Sequence, residues 1–235
     1  LCRELRQQMI ETTSKTGGHL SSNLGVVELT VALHRIFDSP QDTIVWDVGH
    51  QCYAHKLLTG RREQFSTLRQ KDGISGFPKP HESVHDAFVA GHSSTSISAA
   101  SGMAKAKTLN KDPHSTVAVI GDGSFTSGMA YEAINNAARS GDRLIVILND
   151  NKMSISKNES SLAKYLSAMR AKPNYFKIKD SVQELCHHIP LVGRPLEHTL
   201  QKLKATAKTL LYGSNFFEDL GFRYLGPVDG HDLEQ

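Results

Sequence analysis

At 235 residues the chain is long enough to bury one good core, and a hydrophobic content of 39% with 22% charged residues is that of an ordinary globular α/β protein, which excludes a disordered or fibrous chain. A formal charge of +3 without any basic tract gives no case for nucleic acid as a partner. No apolar run approaches the roughly 18 residues needed to span a bilayer, and Arg3, Glu4 and Arg6 interrupt any secretory h-region, so no membrane is expected either.

Along the chain, Leu5, Met9 and Thr12 begin a helical stripe, and Val26, Leu29, Thr30, Leu33 and Phe37 make a clearer one that ends before Pro40. Ile44 to Trp46 predicts a short strand with Asp47 to His50 at its carboxyl end. Phe77-Pro78-Lys79-Pro80 predicts a surface loop, Ala87 to Ala90 a further strand, and Thr95 to Leu109 a helix whose small residues let it pack close to a sheet. Thr116 to Ile120, bounded by Pro113 and Gly121, and Leu144 to Leu148 are the apolar runs expected of strands buried on both faces of a parallel sheet. Between them, Ser127 to Arg139 predicts a helix with Met129, Ala133, Asn136 and Ala137 on one side, Ser127 as its cap and Gly141 beyond its end. The polar stretch 156–191, interrupted by Pro173 and Pro190, reads as a mixed helical and mobile excursion. Leu200, Leu203, Ala207, Leu210 and Leu211 then recover a helix, and Phe222 to Leu225 starts another strand. Neither repeats nor a low-complexity linker divide the chain, so 1–235 reads as a single domain. Cys2, Cys52 and Cys186, odd in number and scattered, favour reduced thiols over a disulfide framework.

Strand, helix, strand is a βαβ unit. About thirteen helical residues climb roughly 20 Å, close to the roughly 17 Å of a five-residue strand, so the two strands run parallel and end at one sheet edge, where open α/β sheets bind ligands. Gly121-Asp122-Gly123 and Asn149-Asp150-Asn151 follow those ends. Either triplet alone reads as a plain turn; together they describe a polar site. A dinucleotide fingerprint fails, because Thr126 stands where its third glycine belongs and Asp122 would repel an unshielded pyrophosphate. Asp122 therefore argues for a divalent cation between carboxylate and phosphate. Mg2+ takes octahedral oxygen ligands, which the Asp122 carboxylate, the Asn151 amide oxygen, the Met153 backbone carbonyl, a diphosphate and a water would supply. The amides of Gly123 and Ser124 would face the diphosphate. The run His81-Glu82-Ser83-Val84-His85 matches a zinc-protease pattern but follows Pro78 and Pro80 too closely for the helix that pattern needs. His19, His50 and His92 each sit beside a glycine in a polar turn, where a backbone can come close to a ligand.

The two triplets resemble a thiamine diphosphate signature. The flanking words Gly17-Gly18-His19-Leu20-Ser21-Ser22-Asn23-Leu24-Gly25, Trp46-Asp47-Val48-Gly49-His50-Gln51, His55-Lys56-Leu57-Leu58-Thr59-Gly60-Arg61-Arg62, Gly91-His92-Ser93-Ser94-Thr95-Ser96-Ile97-Ser98, Asn149 to Ser156 and Gly226-Pro227-Val228-Asp229-Gly230-His231-Asp232 are similar to those of the 1-deoxy-D-xylulose-5-phosphate synthase family. That resemblance implies an α/β fold with a parallel sheet flanked by helices on both faces, thiamine diphosphate and Mg2+ as cofactors, and a homodimer. It also implies condensation of pyruvate with D-glyceraldehyde 3-phosphate with loss of carbon dioxide, at the head of non-mevalonate isoprenoid synthesis, in bacterial cytoplasm or a plastid. It makes His19 and His50 the catalytic candidates: His50 and the Gly91-His92-Ser93 turn match cofactor contacts, and His19 matches a substrate-pocket position implicated in proton transfer. It further implies an activating glutamate on a second domain beyond Gln235, so these residues are expected to form a C-terminally incomplete diphosphate-binding domain with little turnover alone. A transketolase-like enzyme with other substrates and a noncatalytic remnant stay open beside it.

Overall fold

The computed structural model describes residues 1–150, Tyr165 and 216–234. The chain divides into two compact units, Leu1–Ser160 with Val228–Gln235, and Ser161–Pro227.

In the first unit, α1 (Cys2–Thr16) carries Glu4 in its first turn and Lys15 in its last, each complementing the helix dipole, and buries Leu5, Met9, Thr12 and Thr13. A short α2 (Leu20–Leu24) and α3 (Val27–Ile36) follow, then β1 (Thr43–Trp46) and α4 (Tyr53–Leu58). After a 3-10 turn (Glu63–Thr67) the chain runs irregularly to α5 (Ser96–Leu109), β2 (Thr116–Gly121), the one-turn α6 (Asp122–Phe125), α7 (Gly128–Ala137) and β3 (Leu144–Asn149). The sheet order is β1-β2-β3 with every pair parallel, Trp46 opposite Val119 and Gly121 opposite Asn149. All three strands thus end at one edge, as the βαβ reading requires.

Side chains alternate across a strand, so each face has its own partners. Ile44, Trp46, Val117 and Val119 join Leu5 and Met9 of α1, Val27 and Val31 of α3 and Tyr53 and Leu57 of α4 in one core. On the opposite face α5 packs on β1 and β2, bringing Ile97, Ala100 and Ala104 to the sheet, with α7 beside it. The small residues of α5 allow that close approach.

Several expectations need correction. Ser127 does cap α7, accepting from the Met129 amide at 3.3 Å, but the buried face is Ala130, Ala133, Ile134 and Ala137, while Met129 and Asn136 are exposed. Ala87–Ala90 forms no strand: it joins two points held by side chains, Asp86 before it and Ser94 after it, and no neighbouring strand offers it a ladder. In the second unit Phe222–Leu225 is likewise irregular. There α8 (Phe216–Leu220) ends where the Phe222 amide bonds Phe217 O, and the Tyr224 ring stacks on Phe217. The expected excursion 156–191, Tyr165 apart, and the expected helix around Leu200–Leu211 lie outside the described residues.

What holds the irregular stretch after α4 is a buried charge cluster. Arg61 grips Asp86 with both terminal nitrogens, at 2.6 and 2.8 Å, and the His55 ring and the Lys79 amide add to the same carboxylate. Lys56, fully buried, bonds Glu82 at 2.6 Å. Burial pushes the Asp86 carboxyl up, but the bonds from His55, Arg61 and Lys79 outweigh it and hold it well below the usual carboxylate range. The residues of the zinc-protease pattern are drawn apart here. They lie in turns, with Glu82 taken by Lys56 and the Ser75 amide, and with His85 Nδ1 3.0 Å from Ser39 Oγ.

Two outcomes are expected. Asp86→Ala takes from the buried Arg61 its close carboxylate partner, while Lys56 keeps Glu82, and costs about 3–5 kcal/mol; a urea midpoint equal to that of the parent would refute this placement. His34 Nε2 lies 2.9 Å from His55 Nδ1, and burial, then the charges of His55 and His85, lower its pKa from 6.5 to about 4. The unfolded chain therefore takes up that proton first, so the contribution of neutral His34 is complete above about pH 6.5 and is lost as pH falls to about 4, on the order of 2 kcal/mol. His34→Gln should flatten stability in that window, measured as urea unfolding against pH.

Candidate functional site

The polar edge is assembled from the loops that follow the strands. Asp122 opens α6 and is only 6% exposed, immediately after Gly121. Gly123 and Ser124 follow it in the same turn. Asn149, opposite Gly121, brings the second triplet to the same edge, whereas Asn151 and Met153 lie outside the described residues. Of the expected metal ligands, Asp122 is therefore the one placed.

The Gly91-His92-Ser93 turn is exposed and is tied to that edge by the residue after it. Ser94 Oγ donates to the Ser124 carbonyl at 2.7 Å, a direct link between this turn and the Gly121-Ser124 segment. The Ser94 amide donates to Asp47 Oδ1 at 2.9 Å, and the Ser96 amide and hydroxyl donate to Asp47 Oδ2 at 3.1 and 2.7 Å. Asp47 directly follows β1 and is 1% exposed. It thus holds the start of α5, and with it the turn, against the sheet edge.

The loop after β1 is strained where it turns. Val48 has φ +58, a region a β-branched residue enters at a cost of about 1–3 kcal/mol. Gly49 at φ +81 could carry no Cβ, which would fall 2.6 Å from Pro78 Cδ. The turn delivers His50 to His19: the two rings lie 5.4 Å apart, edge to face, and the Phe77 ring stands 5.9 Å from His19. Burial, then the proximity of His19, lowers the His50 pKa, so His50 is a neutral imidazole at neutral pH. Its Nδ1 is buried and meets no partner among the described residues. A buried ring nitrogen in that state is suited to bond a ligand group.

Every described site residue expected from the sequence therefore lies at or beside the sheet's carboxyl edge, in two sets: Asp122, Gly123, Ser124 and the Gly91-Ser93 turn, joined by Ser94, and the His19–His50 pair. Sequence reasoning missed three residues that organise them. Asp47 carried a usable signal, a carboxylate closing a buried strand at the ligand edge. Ser94, and Asn23, whose amide donates to the carbonyls of His19 and His50, carried none, each being one small polar residue in a run of similar ones.

Comparison with known proteins agrees with this architecture. A family model described as 1-deoxy-D-xylulose-5-phosphate synthase matches residues 1–235. Curated relatives bearing that name include proteins of Alkaliphilus oremlandii, 58% identical over 99% of this chain and 37% of the relative, and of Caldanaerobacter subterraneus subsp. tengcongensis, 55% identical over 100% of this chain and 38% of the relative. One from Treponema pallidum is 57% identical over 100% of this chain and 37% of its own. The chain thus spans little more than a third of the length of these relatives. Among solved structures, the transketolases of Leishmania mexicana and Campylobacter jejuni align with TM-scores of 0.58 and 0.59, each at 22% identity over 71% of this chain and over 29% and 31% of theirs. At that identity they speak for the fold alone, an α/β sheet of the kind seen here. With its whole length matched by the family model and more than half its residues shared with each of these relatives, the chain belongs to the 1-deoxy-D-xylulose-5-phosphate synthase family.

Proposed function

We propose that this chain forms the metal-diphosphate half of a thiamine-diphosphate-dependent synthase that condenses pyruvate with D-glyceraldehyde 3-phosphate to 1-deoxy-D-xylulose 5-phosphate and carbon dioxide. The observation that carries the reading is the convergence at one sheet edge of Asp122, the Ser94–Ser124 link and the His19–His50 pair, in a chain of this family. Thiamine diphosphate, when bound, supplies the carbanion chemistry that lets one substrate lose carbon dioxide and join the other.

The residues fit such a group. Asp122 is a nearly buried carboxylate at the end of a parallel strand, the position from which a hard cation can be shared with a diphosphate. Asn151 and Met153 complete the Mg2+ ligands in this reading, and Gly123 and Ser124 turn their amides to the diphosphate. His50 offers its unpartnered Nδ1 to the cofactor, and a neutral ring can either accept or donate there. Gly91, His92 and Ser93, held through Ser94, close over the same ligand. His19 stands outside the cofactor contacts, its Cα within the turn before α2, and moves a proton at the substrate's oxygen from its imidazole. The Phe77 ring beside it keeps that side apolar and sheds water. Homodimer formation and a bacterial cytoplasmic setting belong to the same proposal.

Three measurements bear on it. The intact protein, given both substrates, thiamine diphosphate and Mg2+, should form 1-deoxy-D-xylulose 5-phosphate; failure to form it while the cofactor is bound would exclude this pair of substrates. Asp122→Ala should weaken Mg2+-dependent cofactor binding by more than the ~10–100-fold typical of outer-shell changes, read by calorimetric titration, and unchanged affinity would remove Asp122 from the ligand set. His19→Ala should lower turnover about 10²–10⁴-fold with cofactor affinity nearly intact; equal losses in both would place His19 on the cofactor.

A further inference from the structure

Asn23 lies in α2 and is fully buried. Its carboxamide makes three hydrogen bonds. Nδ2 donates to the carbonyl of His19 at 2.6 Å and to the carbonyl of His50 at 2.7 Å, and Oδ1 accepts the Tyr53 amide at 2.8 Å. The orientation of the group is fixed by these partners, since the reverse would set an oxygen against two carbonyl oxygens and an NH2 against an N–H. The Tyr53 hydroxyl accepts the His19 amide at 3.3 Å, so the ring of bonds closes on itself. Gly18 permits that closure, because a Cβ there would fall 2.6 Å from the Tyr53 hydroxyl.

His19 and His50 are thirty-one positions apart and belong to different loops, one before α2 and one after β1. Among the described residues no other side chain is bonded to the backbone of both. We infer that Asn23 is a positioning residue that sets the separation of His19 and His50, and thereby the register between the proton-transfer group and the cofactor-binding ring. This rests on the proposed function for its catalytic consequence, though not for its geometry. Aspartate matches the size but lacks both donors and brings a charge against two carbonyl oxygens; alanine lacks all three bonds; glutamine is one methylene too long for a closed, fully buried space.

The inference is tested by a double-mutant cycle in the intact protein saturated with thiamine diphosphate and Mg2+. Asn23→Ala should lower kcat about a hundredfold, the scale of an ångström-sized misplacement, while moving cofactor affinity much less. Combined with His19→Ala it should cost little beyond His19→Ala alone, because without the His19 ring the separation that Asn23 sets no longer has two members. A merely structural role predicts multiplied losses, and multiplied losses would overturn the inference. If Asn23→Ala fails to fold, Asn23→Ser, which keeps one hydroxyl for either carbonyl, enters the same cycle and is judged by the same two outcomes. A second readout stands apart from activity: in histidine-labelled protein the magnetisation transfer between the His19 and His50 rings should weaken several-fold in the folded Asn23 variant and keep the parent's strength in Tyr53→Phe. Undiminished transfer in the Asn23 variant would refute the positioning role, whereas a parent that forms no 1-deoxy-D-xylulose 5-phosphate but shows this pattern would refute the proposed function alone.

Discussion

A carboxylate at the end of a buried strand is tolerable only where donors come to it, and at Asp47 they come from the start of α5. Three bonds fasten the amino end of that helix to the carboxyl end of β1. The polar requirement of one side chain thereby decides where a fourteen-residue helix begins, and so which turn of the chain overhangs the sheet edge. Ser94 then extends the connection to Ser124, beside Asp122. Two crossovers that need share nothing except the sheet are joined by one chain of hydrogen bonds, and the Gly91-His92-Ser93 turn inherits a fixed place.

The same molecule uses two different means to hold polar groups inside. Around Asp86 the means is charge: two cations, two carboxylates and a neutral imidazole arranged so that each is answered. Around Asn23 it is the neutral amide, which neither gains nor loses a proton over any ordinary range of pH. The difference suits what each must hold. The charge cluster anchors a stretch of chain without regular structure, where strong attraction compensates for the absence of a ladder. The amide holds two imidazoles whose own protonation matters, and a charged neighbour there would bias both.

The strands and the edge they share were legible because their signals are local. Thr116–Gly121 and Leu144–Asn149 are nearly unbroken β-branched and apolar runs, and Asp122 stands where a dinucleotide turn cannot tolerate it; burial on both faces, expected of both runs, holds for Thr116–Ile120 alone, since Leu144–Asn149 is half-buried with Ile145 exposed. What escaped was non-local. Tyr53–Leu58 is buried from Tyr53 to Leu57, His55 and Lys56 included, so it offers no polar face and hence no helical period to recognise. In α7 the spacing was right and the face was displaced, because Met129, although apolar, stands at the exposed start of the helix. Phe88 and Val89 have strand-forming side chains, yet their conformation is decided by Asp86 and Ser94 at either end, through partners more than twenty residues away. Asn23 shows the limit most plainly. Its three bonds reach His19, His50 and Tyr53, and no pattern within the short word that contains it distinguishes it from its neighbours.

The cluster around Asp86 has a historical consequence. Arg61, Lys56, Glu82 and Asp86 come from α4, the turn after it and the loop of residues 79–86, so neutralising any one of them leaves the others charged and enclosed. A single-step replacement therefore passes through a less stable protein, and only compound replacements, apolar for the whole set, lead elsewhere without loss. Descent with change should treat these positions as one inherited unit, while Val89 beside it, 53% accessible, is bound by no such constraint.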